Sequence, residues 1–409
     1  MGADLEMRLF ASFLFTLALL TNGARAETSV SRGRYLAILG DCAGCHTKAH
    51  GSAYAGGLPF RTQFGTVYST NITPDRETGI GTWTADQFYR AVHEGIAADG
   101  HHLYPAFPYV YFSRLTRRDT DDLFAFLHSL KPVRQAPTPN QLIFPFNIRA
   151  GLIFWNWLYL PKAPPKIDPA APAAWKRGEY IVNGLGHCAA CHTPKDILFG
   201  DVTEKALTGG VVDNWHAADL TGNPHRGLGK WSQDDVAHFL ATGRNKYATA
   251  AGNMQEKVSL STSHMTEEDR AAIAIYLKSL SPSKTQAAET PAAAPMAKGE
   301  AIFVARCQAC HQPPGQPDQP GPGPLPDYPK LAGDTLILGR DPTTVARIIL
   351  QGAESPVTPN GKNTYSMPAF AALNDGQVAA VATYIRNSWG NRAGAVSPHA
   401  VKTLRAELQ

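Results

Sequence analysis

All six cysteines of the chain fall in three copies of one short pattern: Cys42-Ala-Gly-Cys45-His46, Cys188-Ala-Ala-Cys191-His192 and Cys307-Gln-Ala-Cys310-His311. Thiols at this spacing can both form thioethers with the vinyl groups along one porphyrin edge. The histidine that follows then turns its imidazole to the iron as proximal ligand. Three copies that consume every cysteine predict three covalently bound haem c groups. Cys42, Cys45, Cys188, Cys191, Cys307 and Cys310 would be the attachment points, and His46, His192 and His311 the proximal ligands. A disulfide framework, the default for six cysteines in an exported chain, would not bring a trailing histidine each time. A zinc site would need further Cys/His pairs around each motif, and a thioredoxin-like redox pair has no use for the histidine.

The repetition extends beyond the motifs. The segments 31–46, 176–192 and 297–311 each read as an amphipathic helix leading to the cysteines, with Gly33, Gly178 and Gly299 in corresponding positions. "GIGTWTADQF" (79–88) matches "GLGKWSQDDV" (227–236), and each Trp-Thr/Ser step reads as a helix N-cap. The third copy has "GRDPTTVARII" in that place. Each repeat then closes on a stretch with apolar residues at helical spacing and an aromatic near its end, Phe126, Tyr276 or Tyr384. The expected fold is mostly α, as three tandem haem-bearing helical domains.

Composition places the boundaries. Residues 1–26 have the layout of a secretory signal peptide: a basic residue, an apolar run from Leu9 to Leu20, and Ala24-Arg25-Ala26 before cleavage. The following segments are domain 1 (27–135), an aromatic-rich connector (136–168), domain 2 (169–281), an Ala/Pro-rich flexible linker (282–297), domain 3 (298–392) and a C-terminal tail (393–409). Within the connector, 142–160 suits burial between domains or contact with lipid or a partner. The proline-rich run 312–329 reads as an extended loop. The tail offers only a short amphipathic helix after Pro398, with Lys402 and Arg405 on its polar side. A formal net charge of +4 is too small to point to nucleic acid.

Cytochromes that carry electrons most often fill the sixth iron position with methionine. Only Met254, Met265 and Met367 lie in plausible regions. Met254 and Met367 are assigned to the second and third haems, and Met265 reads as an apolar contact at a helix start. The first repeat has no methionine. Counting back from Phe126, the matching position is Phe107, which cannot bind iron, so either His101 or His102 substitutes or the site is open or holds water. Loss of the thioether lowers the first haem's potential relative to the others.

The blocks "DCAGCHT", "YAGGLPF", "YSTNITPD", "GIGTWT", "DGHHLYPAFPY" and "CAACHTPKD" extend the likeness over nearly the whole mature chain. With them the chain resembles the tri-haem cytochrome c subunits of membrane-associated periplasmic dehydrogenases, which act on alcohol, gluconate, sorbitol or fructose. The resemblance implies three cytochrome c-like domains. It also implies a partner, a large catalytic dehydrogenase subunit carrying a flavin, quinone or molybdenum cofactor. Electrons would leave to ubiquinone or to a terminal oxidase or cytochrome, in the periplasm at the outer face of the inner membrane, with peripheral membrane association. In that family the position of Phe107 is usually methionine. Two other functions stay open from the residues alone. One is a haem enzyme, a peroxidase or small-molecule reductase using an open first iron. The other is a free soluble multihaem shuttle.

Overall fold

A glycine in each opening helix sets how closely it meets the helix that closes the repeat. In the computed structural model, which describes residues 28–163, 166–284, 289–311, 328–359, 361–362 and 366–408, the chain is mostly helical with a few short strands. The expected leader and nearly all of the loop at 312–329 lie outside the described residues. Three helix pairs cross: residues 28–39 with Arg117–His128, Ala173–Tyr180 with Glu267–Lys278, and Ala293–Arg306 with Asp375–Asn387. A Cβ on Gly33 would stand 1.9 Å from the Asp122 carbonyl oxygen, on Gly178 2.0 Å from that of Ala272, and on Gly299 2.2 Å from that of Ala380. The next neighbour in each case is the Cβ of Phe126, Tyr276 or Tyr384, at 2.8, 2.8 and 2.6 Å. The aromatics read from the sequence therefore sit at the crossings. Only a residue without a side chain leaves room for the backbone they pack on.

Charge fixes the first two crossings as well. Arg32 pairs with Asp119 and Asp122, and Arg177 forks onto Asp269 with both contacts at 2.7 Å. These three carboxylates are buried, and a buried carboxylate holds its charge only beside such a partner. Two residues beyond each aromatic stands a basic side chain, which in the second and third repeats clamps the loop before the middle helix. Lys278 donates to the Leu228 carbonyl at 2.7 Å, and His128 holds the same place in the first repeat. Arg386 donates to the Ile337 and Gly339 carbonyls at 2.8 and 3.0 Å. Burial lowers the pKa of Arg386 to about 10, so it stays cationic at neutral pH.

The Trp-Thr and Trp-Ser steps cap helices as expected: Thr84 and Ser232 form reciprocal capping boxes with Gln87 and Asp235 on Ala85–Glu94 and Gln233–Thr242.

The chain divides into two compact units after Asn156. In the first, Pro59–Thr62, Gly65–Tyr68 and Gln141–Leu142 form a three-stranded antiparallel sheet, so the connector begins as part of this unit. Most of the connector's apolar side chains are exposed, Phe144 at 78% with Ile143, Ile148, Ile153 and Phe154, while Leu152 is buried.

The second unit holds the second and third repeats, joined by specific contacts. The His216 N–H donates to Thr344 Oγ1 at 2.6 Å, and that hydroxyl donates back to the His216 carbonyl at 3.2 Å. Arg347 lies 4.2 Å above the Trp215 ring. The Asp334 carboxyl, pushed up to about 7 by burial, accepts from the Leu336 N–H at 2.8 Å. The segment expected to be a flexible linker is held at its start, where Arg226 and Arg340 donate to the Lys284 carbonyl. Its last residues already belong to the helix Ala293–Arg306.

The tail forms the helix Pro398–Glu407, capped by Ser397. Val401 and Leu404 are buried in the third repeat's core, and Arg405 bonds Asp375 and the carbonyls of Ala371 and Leu373. The apolar face of this helix is thus spent on the fold. Among the described residues no helix is long and apolar enough to cross a membrane.

Candidate functional site

Each cysteine motif closes as one tight turn. Cys42–His46 is a short helix, the His192 N–H donates to the Cys188 carbonyl at 3.0 Å, and the His311 N–H to the Cys307 carbonyl at 2.9 Å. No disulfide joins any of the six cysteines. Burial pushes the thiols of Cys188 and Cys307 up to about 11, which suits neither a poised thiolate nor a redox pair. Among the described residues, no three His, Cys, Asp or Glu side chains gather into a metal cage, as a zinc site would require.

The three motif histidines share a hydrogen bond that the sequence does not announce. Nδ1 of His46 lies 2.7 Å from the Thr70 carbonyl, that of His192 2.6 Å from Ala218, and that of His311 3.1 Å from Pro329. A carbonyl only accepts, so Nδ1 carries the proton and Nε2 keeps its lone pair. Burial lowers the pKa of all three, more than the carbonyl bond raises it. A neutral imidazole with one nitrogen anchored to backbone and the other left basic is the state in which histidine ligates a metal. The donor set therefore fits haem iron in each repeat.

The distal candidates follow a backbone register. In the first repeat Gly95 ends the middle helix in the left-handed region and Ile96 bridges His102; in the second, Gly243 does the same and Arg244 bridges Thr249. The Leu103 N–H donates to the Gly95 carbonyl and the Ala250 N–H to the Gly243 carbonyl, both at 2.7 Å. Phe107 and Met254 stand equally far along the chain beyond these bridges. Met254 lies at the start of the helix Asn253–Leu260, and Lys257, one turn on, is close enough to Cys188 and Cys191 to lower their pKa. Met367 itself forms the bridge to Ala353, exchanging bonds of 2.7 and 3.1 Å, and packs on the third core. Met265 is buried at the head of Glu267–Lys278, as the apolar contact it was read to be.

The cytochrome c family model matches residues 176–281 and 296–389. Over 95% of its length the chain is 38% identical to the cytochrome c subunit of quinone-dependent alcohol dehydrogenase from Gluconacetobacter polyoxogenes, covering 88% of that protein. It is 38% identical to the gluconate 2-dehydrogenase cytochrome c subunit of Pantoea cypripedii, over 96% of this chain and 93% of the relative. It is 37% identical to the fructose dehydrogenase cytochrome subunit of Gluconobacter japonicus, over 94% and 84%.

Proposed function

The chain belongs to the family of cytochrome c subunits of alcohol, gluconate and fructose dehydrogenases, and from that premise we propose that it is a periplasmic tri-haem electron-transfer subunit. Bound haem c supplies a one-electron couple. Cys42 with Cys45, Cys188 with Cys191, and Cys307 with Cys310 hold one group in each of three tandem domains. His46, His192 and His311 ligate the irons through Nε2, and Met254 and Met367 complete the second and third sites. The observation that carries this reading is the bond from each motif histidine's Nδ1 to a backbone carbonyl, made three times by carbonyls 18 to 26 residues downstream. Generic packing of a surface turn gives no reason for that repetition.

Electrons enter from a larger catalytic subunit carrying a flavin, quinone or molybdenum cofactor and leave to ubiquinone or a terminal acceptor. The exposed apolar run from Ile143 to Phe154 supports attachment to that subunit or to the membrane surface, because soluble proteins seldom leave so much contiguous apolar area in water. Tagged holoprotein taken from detergent-solubilised membranes of its host should bring down a larger cofactor-bearing subunit. Once reduced with dithionite, it should be reoxidised by a short-chain ubiquinone. A chain that purifies alone and is not reoxidised would overturn this reading in favour of the soluble shuttle or the haem enzyme.

A further inference from the structure

We propose that the first haem site has no side-chain sixth ligand and binds a small exogenous ligand, of the carbon monoxide or nitric oxide class when the iron is ferrous. The proposal rests on the tri-haem reading. The backbone register equates Phe107 with Met254. Phe107 is also packed in place, its ring 5.6 Å from that of Phe112 and 6.3 Å from that of Tyr109. A benzyl side chain offers no lone pair, and no methionine lies between Ala11 and Asn253 to replace it.

His101 and His102, the histidines nearest Phe107 in sequence, are engaged elsewhere. His101 is exposed, with Nδ1 2.5 Å from the Asp99 carboxylate. His102 is held by Asn156, whose amide orientation is fixed from two sides. Its Oδ1 accepts from the Tyr109 hydroxyl at 2.6 Å, and its Nδ2 donates to the Glu94 carbonyl at 3.3 Å. Nδ2 therefore faces His102 Nδ1 at 3.5 Å and donates to it. That puts the lone pair on Nδ1 and the proton on Nε2, the reverse of the three motif histidines.

His93 is buried against Tyr89, with ring centroids 3.9 Å apart, and Nε2 lies 3.2 Å from Thr120 Oγ1. His128 lies on the closing helix, at the place Lys278 and Arg386 hold in the other repeats. His50 is exposed on the loop that leaves the motif.

The test starts from holoprotein whose haem content has been counted by pyridine haemochrome. The dithionite-reduced protein should bind one carbon monoxide per three haems, and the oxidised protein should show about one third of its iron as high-spin in electron paramagnetic resonance. Phe107→Met should remove both signals, and His102→Ala should leave both unchanged. Three low-spin irons with no carbon monoxide bound would overturn the proposal while leaving the tri-haem reading intact. New high-spin iron in His102→Ala would overturn it too, by assigning the sixth position to that imidazole. A Cys42–Cys45 peptide found without haem would sink both.

Discussion

Gly178→Val unfolds the second helix pair at markedly lower denaturant than the parent protein, at an expected cost of about 3 kcal/mol or more. Even the first carbon of the new side chain would lie 2.0 Å from the Ala272 carbonyl oxygen and 2.8 Å from the Tyr276 Cβ. A flexible side-chain tip can move away from such an overlap, but a helix backbone can do so only by separating the helices. Separation uncovers Ile273 and the Tyr276 ring and pulls Arg177 off the buried Asp269 carboxylate. Gly151→Ala is the internal control, since a Cβ there meets nothing within 4 Å. It should be neutral, or stabilising by about 0.5 kcal/mol through reduced freedom of the unfolded chain. Urea melts followed by far-ultraviolet circular dichroism distinguish the two. Equal midpoints would mean that the close crossing does not hold the pair together.

The second large effect is on haem content. The double replacement Cys188→Ala with Cys191→Ala should lower the haem count from about three to about two per chain. The lost group should be the one whose ferrous spectrum carries His192–Met254 ligation. The first and third motifs have their own turns and their own carbonyl anchors, Thr70 and Pro329, so their occupancy should be unchanged. Single His192→Ala should instead keep the thioethers and the count but turn that iron high-spin. A structural disulfide or a zinc site predicts neither pattern: haem content would be indifferent to both changes.

Much of the site was legible because its chemistry is local. The cysteine spacing, the trailing histidines and the Thr84 and Ser232 caps are set by residues within one or two turns, and the crossing glycines recur eight to ten residues before each motif. The basic residues His128, Lys278 and Arg386 are equally legible, each two residues past its aromatic. Other features depend on contacts far apart in the chain. The carbonyls of Thr70, Ala218 and Pro329 belong to residues of unlike type, because a backbone acceptor leaves no side-chain signature. The Asn156 amide that fixes the His102 tautomer comes from a helix that read only as an apolar stretch. The opening helix of the second repeat widens over Ile181–Leu185, where Gly184 leaves helical geometry, although the apolar spacing there predicts an unbroken run. The linker composition at 282–297 is poor in apolar residues and predicts a free segment, yet at its start the Lys284 main-chain carbonyl accepts from Arg226 and Arg340 without needing any.

The most direct test is whether the colour is covalent. Protein matured in its native host should retain about three haem equivalents per chain through acid–acetone extraction, with haem-bearing peptides recovered from all three cysteine motifs. If the solvent instead carries the haem away and leaves six unmodified thiols, the chain does not hold haem as described here.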